Sequence, residues 1–307
     1  GSEMCIRDRP NTSAFSPCPG RSTRKGSIFK FLNHEALISC LPLCSQRPWM
    51  RRMPTFFKIF LLTLKSILMN INFVKTPFTN KPTMSRHHGP TFSKTPNQTY
   101  ISEKQKQLDL FGEKLYGQTK LSEEKNLLEK FLSYCDLDTN FSLYQTTLCF
   151  EEDFSIMYLG NMEVVSVCFP SGWKPMDKLG KPLSKIHQPI ADSEQLIEAS
   201  DKLSQYMTKQ EIKRWVWTIT TNNNLSEFTE IEKPNISNFE NLYFRVETQT
   251  SAPIDDDTSI FFIKIDVLPL KEVWSKHILD SINSMSDNIL NYKGLVEIKD
   301  FLNRIDL

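Results

Sequence analysis

The stretch Phe154-Ser-Ile-Met-Tyr-Leu-Gly160-Asn161-Met-Glu-Val-Val-Ser-Val-Cys-Phe169 decides the fold. Two apolar runs rich in β-formers, Phe154–Leu159 and Glu163–Phe169, flank a Gly-Asn pair, a composition suited to a tight turn whose residues need positive φ. The spacing predicts an antiparallel hairpin. Pro170 ends it, because a residue without an N–H cannot continue a central strand. Dense punctuation follows: Pro170-Ser171-Gly172-Trp173 turns, Pro175 and Gly180 bracket a short helix, and Pro182 and Pro189 stand on either side of His187. The histidine is expected on a stiff connector, outside any regular element. Flexible links use Gly and Ser, so this many prolines imply a side chain held in place. An ordinary hydrogen-bonded histidine at a rigid corner satisfies the same pattern.

Outward from the hairpin, residues 102–135 carry Leu108, Phe111, Leu115, Leu121, Leu127, Leu128, Phe131 and Leu132 at helical spacings, which predicts two helices broken near Gly117. Leu143–Phe150 reads as a strand. On the other side, Ser193–Met207 reads as a helix with Ser193 as N-cap. Arg214–Thr220, Leu242–Thr250 and Ser259–Val267 read as strands, the last two joined by a turn at Pro253–Asp257. Lys271–Ile282 and Gly294–Leu302 read as helices. Antiparallel strands with helices before, between and after them make an α+β domain over 101–307, an antiparallel sheet with flanking helices. No strand, glycine loop and helix repeat suggests a nucleotide fold.

The net charge of +1 hides a division. Of 37 Lys/Arg and 36 Asp/Glu, residues 1–95 hold 15 and 3, leaving 22 and 33 for the remainder, or about +12 against −11. An acidic body argues against nucleic acid as partner, since phosphate binding needs clustered cations. The seven cysteines are odd in number, and Cys135, Cys149 and Cys168 are far apart, so they read as reduced core thiols of an intracellular protein. Cys40 and Cys44 with His34, His87 and His88 match no zinc spacing well. Residues 1–100 read as a disordered or non-native leader and linker, with Met84 a plausible start. Within it, 55–74 is apolar but interrupted by Lys58 and Lys65 and short of a span. A cytoplasmic protein is expected; a membrane anchor or an organellar presequence at 50–74 is the alternative.

Chemistry concentrates in Leu242-Tyr243-Phe244-Arg245-Val246-Glu247-Thr248-Gln249. Strand alternation puts Tyr243, Arg245, Glu247 and Gln249 on one face. That face is either a solvated surface with an Arg/Glu pair or the polar wall of a pocket, with Arg245 for an anionic group and Glu247 or Gln249 for a cationic or hydrogen-bonding ligand. Ser171 lacks a nucleophile-elbow context. Trp215 and Trp217 suit a core position, though aromatics beside a flat macrocycle look the same. Asp255-Asp256-Asp257 reads as a solvated turn.

Taken together, Cys168-Phe-Pro-Ser-Gly-Trp173, Lys178-Leu-Gly-Lys-Pro-Leu183, Ile186-His187-Gln-Pro-Ile190 and Phe244-Arg245-Val-Glu247-Thr-Gln249-Thr250 resemble the haem-dependent oxidative N-demethylase family and its fungal branch, called HRQ. The similarity covers roughly residues 105–305. The resemblance implies a PAS-like α+β domain that binds haem b and uses O2 to demethylate a small secondary amine, releasing formaldehyde. Electrons then come from NADPH through a separate flavin and iron–sulfur reductase. It further implies His187 as the axial iron ligand, Arg245 and Lys178 as cofactor-binding residues, and Glu247 and Gln249 as catalytic pocket residues. Two departures stand out: Ser251–Asp257 replaces a basic, Leu-containing turn, and Arg214-Trp-Val-Trp217 replaces an Arg-x-Asn-Trp strand. A PAS-like haem or small-ligand sensor without turnover is the alternative function.

Overall fold

The hairpin forms, and a seven-stranded, wholly antiparallel sheet is built around it. The computed structural model describes residues 71–81 and 84–305, all in the second of the chain's two units. The expected leader, most of the 55–74 segment, and His34, Cys40 and Cys44 lie outside the described residues. The strands are β1 (Ser85–Arg86), β2 (Tyr116–Gln118), β3 (Asp153–Tyr158), β4 (Asn161–Ser166), β5 (Ile212–Thr220), β6 (Tyr243–Pro253) and β7 (Thr258–Pro269). Their order across the sheet is β1-β5-β6-β7-β3-β4-β2. The β3–β4 turn sits one residue earlier than expected. Tyr158 pairs with Asn161, so Leu159 and Gly160 make the turn, with φ of 46° and 81°. Both central residues are thus left-handed, the twist a two-residue hairpin needs.

The α+β class read from the sequence is the observed one. The helices are α1 (Gln98–Phe111), α2 (Lys120–Glu124), α3 (Leu127–Tyr134), α4 (Leu143–Thr147), α5 (Leu183–His187), α6 (Glu194–Glu198), α7 (Ser200–Met207), α8 (Leu270–Val273), α9 (Lys276–Asn283), α10 (Asp287–Lys293) and α11 (Val296–Leu302). On one sheet face Trp217, Ile219, Phe244 and Val246 pack against Ile278, Ile282 and Leu290 of the C-terminal helices. Further along that face Phe154, Ile156 and Phe262 meet Leu127 and Phe131 of α3. Each such buried side chain contributes about 1.5–3 kcal/mol by leaving water, which holds the helices against the sheet. Trp217 is core, stacked on Phe244 at 5.5 Å, but Trp215, expected there too, is 38% exposed and stacks on Phe73 at 5.6 Å.

Several local expectations are corrected. Leu143–Phe150 is not a strand: Ser142 and Gln145 form a reciprocal capping box that starts α4, and the Thr146 and Thr147 hydroxyls bond carbonyls one turn back. Gly117 lies inside β2, where a Cβ would come within 2.6 Å of Met176 Cε. The Ser193–Met207 helix is broken at Ala199 into α6 and α7, and the Ser193 side chain caps nothing. Helix α10 was not foreseen. Part of the expected linker belongs to the domain: Val74 is buried among the C-terminal helices, Ser85 and Arg86 pair with β5, and Thr91 accepts a hydrogen bond from Thr250 at 2.6 Å. Widely spaced anchors in a polar, proline-rich stretch leave no periodicity to read.

Cys135 and Cys168 are buried, Cys149 is half-buried, and all three are free. Burial pushes the Cys135 thiol up to about 12, as expected of an inert core thiol. Among the described residues, no helix is long and apolar enough to cross a membrane.

Candidate functional site

The sheet face opposite Trp217 is polar at β5 and β6. The register sets Arg214 opposite Gln249, Val216 opposite Glu247, and Thr218 opposite Arg245, so these side chains share one face. The connector after β4 and the Asn-rich loop 221–229 fold over it. They are tied together by a parallel bridge, Gly172 N–H to the Glu227 carbonyl at 3.0 Å and Glu227 N–H to the Pro170 carbonyl at 2.9 Å.

Arg245 is the pin through this stack. It is only 1% exposed and spends its donors on the fold: Nε to Ser171 Oγ at 3.0 Å, Nη1 to the Leu225 carbonyl at 2.7 Å, and Nη2 to the Phe169 carbonyl at 3.0 Å. Burial lowers its pKa, opposed by the nearby Glu227 and Glu247 carboxylates. Glu227 accepts in turn from Thr220 at 2.5 Å and Lys233 at 2.8 Å; burial alone would raise its pKa, but Arg245 and Lys233 outweigh that and hold it low. A second buried pair fixes the start of the connector. Lys104 and Asp153, both without side-chain exposure, sit 3.1 Å apart, and Asp153 accepts the Phe169 N–H at 2.7 Å.

Glu247 is held from both sides. Ser171 donates to Oε1 at 2.5 Å and Gln249 Nε2 donates to Oε2 at 2.7 Å. Of the residues singled out in the sequence, Arg245, Glu247 and Gln249 therefore form one hydrogen-bonded group through Ser171. Its carboxylate stays fixed and ready to receive a cation or a further donor.

His187 joins this group through charge rather than contact. It is the last residue of α5, not a connector residue; Pro182 sets the helix start and the Ile186 N–H reaches the Pro182 carbonyl at 3.0 Å. Five residues are too few for periodicity to reveal. The His187 Nδ1–H donates to the Leu183 carbonyl at 2.9 Å, which fixes the tautomer and leaves Nε2 an acceptor with no hydrogen bond among the described residues. Burial, with the Arg214 and Lys178 charges, drives its pKa down to about 4, so the ring is neutral at physiological pH. Lys178 holds the turn from outside, Nζ to the Ile186 carbonyl at 3.0 Å. Arg214, desolvated and attracted by Glu247, links the two halves electrostatically. Lys293 on α10 is also in the field of Arg214 and Glu247; burial brings it down to about 8.

Beside α5 opens a cleft of about 800 Å³ lined by Trp173, Lys174, Lys178, Lys181, Lys185 and Gln188. Its size falls within the roughly 300–1,000 Å³ of organic ligand sites. His187 is not part of its lining. No three His, Cys, Asp or Glu side chains gather into a metal cage among the described residues. His187 is therefore a single neutral imidazole whose Nδ1–H is anchored and whose Nε2 carries no hydrogen bond among the described residues.

The sequence reading passed over Arg214, Glu227 and Lys293. Arg214 carried a usable signal, a charge in a β-prone run; Glu227 and Lys293 depend on how a loop and a terminal helix return to the sheet, which no local pattern encodes. A search for curated relatives found no match. The model for haem-dependent oxidative N-demethylase, alpha subunit-like, matches residues 112–303, which span β2 to the C-terminal helices and the whole polar face just described, and the chain belongs to that family.

Proposed function

We propose that the protein binds haem b through His187 and supports O2-dependent demethylation of a small secondary amine. The observation that carries this reading is the state of His187: neutral, its Nδ1–H committed to Leu183, its Nε2 without a hydrogen bond among the described residues, and in the field of Arg214, which in turn feels the fixed carboxylate of Glu247. The residues fit the group, since iron takes the neutral imidazole and a backbone acceptor on the other nitrogen orients it. Haem, when bound, supplies O2 activation and the oxidising equivalent. The chain's own residues do the rest. Glu247, held by Ser171 and Gln249, receives the ammonium of the amine; Arg245 keeps the connector closed over the face and shuts out water; Lys178 steadies the turn that carries the imidazole.

In the overall reaction O2, two electrons and two protons convert one N-methyl group to formaldehyde and water. The electrons are assigned to a separate flavin and iron–sulfur reductase drawing on NADPH, and the chain to the fungal HRQ branch. The test is formaldehyde release by haem-loaded protein given dimethylamine, O2 and a chemically reduced iron–sulfur donor. Release that falls at least tenfold in Glu247→Gln supports the reading. Haem-loaded protein that consumes O2 at the same rate with or without amine, and releases no formaldehyde, points instead to a sensor.

A further inference from the structure

We propose that Arg214, aided by Lys293, is a carboxylate-recognition point of this site. Among the described residues, Arg245, Lys178, Lys293 and Arg214 carry positive charge that acts on this site, and the first three are occupied. Arg245 bonds both the connector and the 221–229 loop, Lys178 bonds the Ile186 carbonyl, and Lys293 bonds the Trp217 carbonyl at 2.8 Å and lies over Phe78. Arg214 makes no hydrogen bond and no ion pair within 4.0 Å among the described residues. Its register opposite Gln249 makes it a diagonal neighbour of Glu247, at about 7–8 Å between Cα atoms, near enough to feel that charge although the two side chains form no ion pair.

The charge balance points the same way. Glu247 accepts from Ser171 and Gln249, and Glu227 from Thr220 and Lys233, so Arg214 feels the Glu247 charge but neither carboxylate pairs with it directly. A desolvated cation without a partner is costly unless a ligand completes it. A guanidinium fork matches a carboxylate in two parallel hydrogen bonds, and the lysine adds a point charge. Two sources offer that chemistry. One is a propionate of haem, which rests on the reading above. The other is the carboxylate of a zwitterionic N-methyl amine whose ammonium faces Glu247, which makes the substrate an N-methyl amino acid rather than a plain alkylamine.

The experiment uses the full chain in two arms. In the first, apoprotein is titrated with haem and with haem dimethyl ester, whose propionates are blocked. In the second, N-methylglycine and dimethylamine are titrated against apoprotein and haem-loaded protein, read by the heat of binding in titration calorimetry. At least tenfold tighter binding of the carboxylate-bearing member of one pair, lost in Arg214→Gln and partly kept in Arg214→Lys, supports the proposal and names the source. Wild-type protein that binds both members of each pair equally overturns it, as does discrimination unchanged in Arg214→Gln and in Lys293→Met. Failure to take up haem removes the catalytic reading alone, because the calorimetric titration of apoprotein still decides the second arm.

Discussion

Arg245 and Arg214 occupy neighbouring strands on the same face and are used in opposite ways. Arg245 joins the Phe169, Ser171 and Leu225 segments, so its loss leaves buried carbonyls and the Glu227 and Glu247 charges uncompensated. Arg245→Met is expected to destabilise the domain by about 3–5 kcal/mol in urea unfolding, the scale for stranding buried charge. Arg214→Gln breaks no hydrogen bond or ion pair among the described residues and removes a desolvated charge, so in urea unfolding it is expected to leave stability unchanged or raise it. His187 gives a pH signature. Its folded pKa of about 4 lies below an ordinary imidazole, so the unfolded chain binds the extra proton first. The contribution is whole above about pH 6.5 and drains away as pH falls toward 4, by at most roughly 3 kcal/mol. Urea midpoints between pH 4 and 7 should show this slope in wild-type protein and lose that part of it in His187→Gln.

At the scale of elements, the connector from Phe169 to His187 matters most, because it is a loop given the rigidity of a core. Prolines restrict it locally, but what positions it are contacts from elsewhere: Asp153 to the Phe169 N–H, Glu227 to Gly172 and Pro170, and Lys178 to Ile186. Lys104→Met strands Asp153 at the base of this connector and is expected to cost about 3–5 kcal/mol. Helix α4 offers a cleaner local test. Ser142→Ala removes one half of its capping box and should cost about 1 kcal/mol, seen as a lower melting temperature with an unchanged haem or ligand response.

For the whole molecule, the hairpin, the long β5–β6–β7 pairing and the α+β class were legible because strand alternation is local. Leu143–Phe150 misled for a related reason: its apolar and Thr-rich composition suits a strand, while the capping box that overrides it is spelled by two polar residues. The alternation of β6 already placed Arg245, Glu247 and Gln249 together, and the prolines already marked His187 as held. Which of two arginines is structural and which is free could not be read, since that depends on whether a connector and a distant loop close over one strand or the other.

The central claim is that His187 Nε2 is the iron ligand, and absorption of the haem-loaded protein tests it most directly. The expected result is a strong Soret band, lost or displaced in His187→Ala, and restored when free imidazole is added to His187→Gly. A Soret band of unchanged position and intensity in both variants, with no response to imidazole, would contradict it.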